Sequence, residues 1–244
     1  MSPSMTSGGA ATEGGALARL RVLDLSRVLA GPWATQVLAD LGAEVIKIEE
    51  PGRGDESRKY GPFPDDTPHP ERSGLFLYLN TNKLGITLDI KAKSGQKILK
   101  DLLKDTDVFV ENNPPKLMKK WGLDYPKLKK INPRLIMTSI TPFGQTGPYK
   151  DYKAYAINCC AAGGVSQITG HHWREPLTMP VSLGHYQAAI SGAGSTMVAL
   201  LARDATGRGQ QVDISEAEIW ATFHVGFGVT KYTGGAGDSL TRGY

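Results

Sequence analysis

Apolar residues first organise the chain at Arg21-Val-Leu-Asp-Leu-Ser26, a short run with the spacing of a β-strand. Gly31-Pro32 follows. Pro32 suits the first turn of a helix, where its missing N–H is not needed. Trp33 to Leu41 carries apolar residues at helical spacing, and Gly42 supplies a natural stop. Glu44-Val-Ile-Lys-Ile-Glu49 reads as a second strand. A strand–helix–strand opening is the repeating unit of a parallel sheet in an α/β protein.

The segment 51–74 is rich in Gly, Pro, Asp and Arg and poor in apolar residues. Irregular segments this long are often functional in compact domains. Ile86–Ile90 predicts a third strand, and Ser94 is a candidate cap for a helix from Gly95 to Leu103. Asp107–Glu111 and Leu135–Ile140 predict a fourth and a fifth strand. Between them, Leu117 to Ile131 contains two short helical pieces broken near Gly122 and Pro126. After Pro148 the pattern changes. Tyr155–Gly170 and Leu183–Arg203 are helical stretches crowded with small residues, which allow close backbone approach. A turn at Thr206–Gln211, a short strand at Val212–Ile214 and a helix at Glu216–Tyr232 follow, and Gly234–Tyr244 is a Gly-rich tail.

The 244 residues are 40% hydrophobic and 21% charged, an ordinary globular balance. A net charge of +4 suits a small anionic ligand without requiring one. No basic block interleaved with aromatics occurs, which argues against nucleic acid. No apolar run reaches membrane-spanning length. Met1–Gly15 is rich in Ser, Gly and Ala, lacks the order of a signal peptide and contains no Arg, so a disordered extension is expected. Cys159 and Cys160 are adjacent and have no metal-type spacing around them. They read as two small buried thiols in a reduced, cytoplasmic setting. His171-His172 without further ligands is read as solvated, and no metal is expected.

The turn after the first strand, Ser26-Arg-Val-Leu-Ala-Gly-Pro32, lacks the glycines of a dinucleotide fingerprint, and neither a P-loop nor a nucleophile elbow occurs. A helix starting beside the end of the first strand is nevertheless a natural place for an anion.

An ordered set of short motifs is more specific. It comprises Val28-Leu-Ala-Gly-Pro32, Leu41-Gly-Ala-Glu-Val-Ile-Lys-Ile-Glu49, Gly54-Asp55 with Arg58, and Asn82-Lys83 with Leu88-Asp-Ile-Lys91. Asp107-Val-Phe-Val-Glu-Asn112, Gly122, Asn132-Pro-Arg134, Thr138-Ser139, Phe143-Gly144, Gly147-Pro148 and Thr206-Gly-Arg-Gly-Gln210 complete it. In this order and spacing, from about Leu20 to about Trp220, the chain resembles the class III CoA-transferases.

The resemblance implies a Rossmann-like parallel sheet with flanking helices, from a family of interlocked dimers. It implies a disordered extension at 1–19 and a CoA-binding large domain at 20–214. A helix and linker at 215–244 would lead towards a small domain and a C-terminal return that this sequence does not contain. Members move CoA between carboxylic acids, as formyl-CoA and carnitine CoA-transferases do, or epimerise acyl-CoA, as α-methylacyl-CoA racemase does. No permanently bound cofactor is implied; coenzyme A or acyl-CoA is a substrate. The expected partners are a CoA thioester, a carboxylic acid, and a second subunit in a homodimer or heteromer.

By the same resemblance, Val28, Ala30, Leu88, Lys91, Asn112, Asn113, Lys120 and Lys153 are the CoA-binding candidates. Lys120 stands where an Arg often does, keeping the charge but losing the planar fork. Tyr155 and Gln187 are the substrate-binding candidates, while Glu49 and Asp55 are expected to organise the irregular segment. The family's nucleophilic Asp, in a Gly-Asp element, is matched by Gly184-His185. In the family that carboxylate becomes an anhydride and then a CoA thioester. An imidazole has no carbonyl carbon and cannot become such a thioester. His185 therefore implies a non-catalytic partner in a hetero-oligomeric transferase, or a general acid–base in an acyl-CoA racemase, epimerase or lyase. A third reading is a CoA-binding module without catalysis, or an oxidoreductase.

Overall fold

The structure, a computed structural model, describes residues 14–171 and 173–222. Its frame is a six-stranded sheet with every neighbouring pair parallel. The strands are β1 (Arg21–Asp24), β2 (Glu44–Glu49), β3 (Lys83–Thr87), β4 (Val108–Glu111), β5 (Ile136–Thr141) and β6 (Gln211–Ser215). Their spatial order is β3-β2-β1-β4-β5-β6. The chain reverses its direction of travel across the sheet between β1 and β4. In such sheets ligands bind beyond the carboxyl ends of the strands at that reversal.

The helices are α1 (Ala30–Asp40), α2 (Gly74–Asn80), α3 (Lys93–Leu102), α4 (Pro115–Trp121), α5 (Tyr125–Leu128), α6 (Ala156–Ala162), α7 (Val165–Ile168), α8 (Leu183–Thr206) and α9 (Glu216–Thr222). Side chains alternate across each strand and divide the core into two layers. Val22, Val45, Val108, Val110 and Ile136 pack with Leu38 of α1 and Ala199 and Leu200 of α8. Leu23, Ile48, Phe109 and Met137 point the other way, onto Leu99, Met118, Leu123 and Leu128. Apolar residues at consecutive strand positions are thus explained by a sheet covered on both faces.

The third strand begins earlier than its apolar residues suggested. Lys83 to Thr87 pair in register with Val45 to Glu49, while Leu88 and Ile90 lie beyond the strand. Pairing with β2, not local hydrophobicity, sets these limits. Ala92, rather than Ser94, precedes α3 as its cap. The irregular segment ends in the short helix α2, whose cap Ser73 accepts the Phe76 N–H at 3.1 Å. The Tyr155–Gly170 stretch is two helices, because Gly164 adopts φ 86° and starts a new turn.

The ordered chain also begins before Leu20. Leu17 is buried in the core, and its N–H donates to Leu41 O at 2.9 Å. The rest of the expected extension, residues 1–13, lies outside the described residues, as do the end of the helix expected to reach Tyr232 and the Gly-rich tail. Among the described residues, no helix is long and apolar enough to cross a membrane.

Candidate functional site

Lys47 and Asp24 sit on the same face of neighbouring strands, with Lys83 on the third. All three side chains are almost fully buried near the start of α1. Asp24 accepts from Lys83 Nζ at 3.1 Å, from Thr35 Oγ1 at 2.7 Å and from the Ser26 hydroxyl. Burial alone would raise the Asp24 pKa, but the charges of Lys47 and Lys83 and these hydroxyls hold it far below the carboxylate range. Lys83 is lowered to about 8, because burial and the nearby Lys47 outweigh its attraction to Asp24. The two partners are therefore not stabilised equally: the carboxylate gains more from the cluster than the ammonium does.

Lys47 donates to Asp55 Oδ2 at 2.7 Å and to Ser26 O at 2.5 Å. Asp55 also accepts the N–H groups of Val28 and Ser57. Glu49 accepts two bonds from Arg58, each at 2.7 Å, and the Asp55 N–H at 2.7 Å. The irregular segment is thereby locked to the turn after β1. Val28 is held at φ 70°, a left-handed conformation that a β-branched residue rarely adopts. Strain of this kind persists only where surrounding contacts over-determine it, and it concentrates at functional sites.

Beyond the ends of β1, β2 and β4 lies a cleft with a volume of about 190 Å³. Leu25, Ile48, Leu88, Ile90, Leu117 and Trp121 make its apolar surfaces. Arg27, Lys91 and Asn113 add polar groups to the same lining. Lys91 is paired with Glu50 at 2.5 Å, and Arg27 Nη2 reaches Asn113 Oδ1 at 3.4 Å. Asn113 is positioned by Glu111, whose Oε2 accepts its N–H at 2.7 Å. Burial pushes the Glu111 carboxyl up to about 7 against the hydrogen bonds it receives from Ser139 and Asn113.

Three of the sequence-derived CoA candidates, Leu88, Lys91 and Asn113, thus meet in one cleft. Asn112 is engaged with the backbone of Arg27, donating to its O at 2.8 Å and accepting from its N–H at 2.9 Å. Val28 and Ala30 belong to the adjoining turn and the first turn of α1. Lys120 and Lys153 are exposed and do not line the cleft. Tyr155 is 76% exposed, and its N–H donates to Asn158 Oδ1 at 2.9 Å. Gln187 is half-buried near the start of α8. Arg27, Leu117 and Trp121 were missed as lining residues. The reversal of strand order would have singled out Arg27, but nothing in the linear pattern brings Trp121 beside Leu88.

His185 occupies the first turn of α8 and is partly exposed. Its Nδ1 lies 2.8 Å from Oε2 of Glu216, whose side chain is only 4% exposed. Glu216 opens α9 directly after β6, and the other oxygen of its carboxyl is buried without a hydrogen-bond partner among the described residues. Cys159, within electrostatic reach of Glu216, is pushed up to about 12, chiefly by burial. Both cysteines are buried and free. The backbone at Gly184 is pressed against the Trp220 indole, leaving no space for a Cβ. A small residue next to His185 is therefore required by packing. His172 lies outside the described residues, and among those described no cluster of metal-binding side chains occurs.

The turn after β1 runs from the cleft to α1, which touches the helix that carries His185. Arg27 lines the cleft, while Trp33 of α1 makes an edge-on contact with Tyr186, ring centroids 4.7 Å apart. Between Arg27 and Trp33 lies Val28, held at φ 70°.

Comparison with known proteins agrees with this architecture. A CaiB/BaiF family protein from Brucella suis superposes with a TM-score of 0.84 at 33% identity, over 94% of this chain and 60% of that one. Mus musculus succinyl-CoA:glutarate CoA-transferase is 42% identical over 194 residues, 80% of this chain and 44% of the mouse protein. The beta subunit of succinyl-CoA–L-malate CoA-transferase from Chloroflexus aurantiacus is 38% identical over 199 residues, 81% of this chain and 48% of that subunit. The chain spans about half the length of these two relatives. The family model for CoA-transferase family III matches residues 17–241. On that match and these identities, the chain belongs to CoA-transferase family III.

Proposed function

We propose that this chain is a CoA-thioester-binding subunit of a CoA-transferase, and that its own residue at the family's nucleophile position does not carry the transfer. What supports this reading is His185, an imidazole that the resemblance sets where the family carries its Asp. A transferase half-reaction that stores CoA on the protein needs a carboxyl carbon there, and none is present. In this reading the chain works beside a homologous subunit that keeps the Asp. The relationship to a protein named as the beta subunit of a succinyl-CoA–L-malate CoA-transferase supports such a two-subunit arrangement.

The cleft suits the nucleotide end of CoA. An adenine ring would lie against Leu88, Ile90 and Trp121, with its anionic groups directed to Arg27 and Lys91. At about 190 Å³ the cleft is smaller than the roughly 300–1,000 Å³ of whole-ligand pockets. It would seat one end of the ligand and leave the pantetheine arm to run over Val28 and Ala30 towards His185.

A second reading is favoured by the Nδ1–Glu216 contact. An imidazole oriented by a buried carboxylate is arranged as a general acid–base for an acyl-CoA racemase, epimerase or lyase. The deciding experiment uses the full-length protein with and without an Asp-containing homologue. Under the first reading His185→Ala leaves transfer by the complex intact, while replacing the partner's Asp abolishes it. Under the second, His185→Ala abolishes the reaction of the isolated subunit. Calorimetry with CoA tests the binding common to both: heats no larger than those with ADP-ribose, and unchanged by Lys91→Ala, would refute it.

A further inference from the structure

We infer that the His185–Glu216 pair activates water, giving the subunit an acyl-CoA hydrolase activity. The inference rests on the reading that the chain binds CoA thioesters. Glu216 lies almost wholly out of solvent and holds Nδ1 of the imidazole at 2.8 Å. With Nδ1–H donating to that carboxylate, Nε2 is left as the proton acceptor. The His185 side chain is 27% exposed, so the imidazole remains open to solvent.

The surrounding groups narrow what such a base does. A two-base epimerisation needs a second acid–base on the opposite face of the substrate carbon. Glu216 is engaged with Nδ1, and the Cys159 thiol, held near 12, is a poor base at neutral pH. Transfer through a protein thioester needs an accessible carboxylate, and Glu216 is buried. Attack by water needs one oriented base and no covalent intermediate.

The step balances with water as the co-reactant. His185 Nε2 takes a proton from water as the water oxygen bonds to the thioester carbonyl carbon. The tetrahedral adduct collapses with cleavage of the C–S bond. The CoA sulfur leaves as thiolate and takes the proton back from the imidazolium, giving free acid and CoA thiol. His185 is the catalytic residue, and Glu216 positions it.

The test uses full-length protein and succinyl-CoA with no acceptor acid, following thiol release with a chromogenic disulfide. The expected result is turnover, with ¹⁸O from labelled water appearing in the released succinate. His185→Ala should slow turnover by on the order of 10²–10⁴, with partial recovery on adding free imidazole. Glu216→Gln, close in shape and suited to the same buried site, should lower kcat with little change in KM, and Glu216→Asp should restore part of the loss. A purely structural Glu216 would instead lower thermal stability and leave the kcat of the folded fraction unchanged. Thiol release undiminished in His185→Ala would overturn the proposal. So would a hydroxylamine-trapped hydroxamate on Glu216, which would make that carboxylate the nucleophile. Succinyl-CoA binding without thiol release would sink the hydrolase and spare the binding reading, whereas absence of binding heat would refute both.

Discussion

The N–H of Val28 donates to Oδ1 of Asp55 at 3.0 Å, tying a strained residue after the first strand to the irregular segment after the second. The carboxylate that accepts it is itself held by Lys47, so one buried ion pair supports the backbone of the turn after β1. Burial would raise the Asp55 pKa. The Lys47 charge, with bonds from Lys47, Ser57 and Val28, reverses that and keeps it below its ordinary value.

Asp55→Ala should therefore do two things. It leaves Lys47 charged and unpaired in the core, a change expected to cost about 3–5 kcal/mol. It also releases Val28 from its left-handed conformation. Urea denaturation measures the first effect and CoA calorimetry the second. Unchanged CoA affinity in folded Asp55→Ala protein would show that the turn does not contribute to binding.

Glu111 gives a pH prediction whose sign follows from its raised pKa. The carboxyl titrates near 4.5 when unfolded and near 7 when folded, so the folded state binds the extra proton between those values. Its contribution is fully present below pH 4.5 and is lost as pH rises through about 7. A rise of that size is worth roughly 3 kcal/mol. Glu111→Gln should be more stable than the parent above pH 7, and its melting temperature should vary less between pH 5 and 8 (roughly the span over which the parent carboxyl ionises). Identical profiles for parent and variant would refute the assignment.

Gly184→Ala should damage the His185 corner without touching its chemistry. The new methyl group would overlap the Trp220 indole, and overpacking of this kind costs about 1–3 kcal/mol. A lowered melting temperature, with a displaced His185 resonance in NMR spectra, is the expected outcome. Wild-type stability would mean that α8 and α9 can separate without cost.

The cleft makes a discriminating pair of substitutions. Trp121→Ala should weaken CoA binding measured by calorimetry, because it strips an aromatic wall from the cleft. Lys153→Ala should have a smaller effect, because Lys153 is exposed and outside the lining. The reverse ranking would move the nucleotide to another face.

Along α8, Ile190, Val198 and Leu201 are 52%, 66% and 68% exposed, an apolar stripe that isolated surface residues do not account for. A second subunit is expected to cover it. Sedimentation at micromolar concentration should show an associated species. A monomer whose α8 amides exchange freely with solvent would contradict this.

Several features were legible in the sequence because they are local. Val22-Leu23 and Val108-Phe109-Val110 announce strands buried on both sides, and Gly122, at φ 67°, marks the end of a helix wherever it falls. The ordered motifs from Val28 to Gln210 pointed to the family whose model matches the chain. Other features were decided by tertiary structure. Asp24, Lys47 and Lys83 look like ordinary charges on three separate runs, and only parallel pairing of β1, β2 and β3 buries them as one cluster. Trp121 and Leu88 share a cleft only because β4 crosses to the far side of β1. Glu216 has no sequence link to His185, since the length of α8 and all of β6 separate them. The chain specifies its own periodicities through backbone geometry and side-chain burial. Which distant carboxylate meets which imidazole depends on how the sheet orders its strands and how α8 packs against α9.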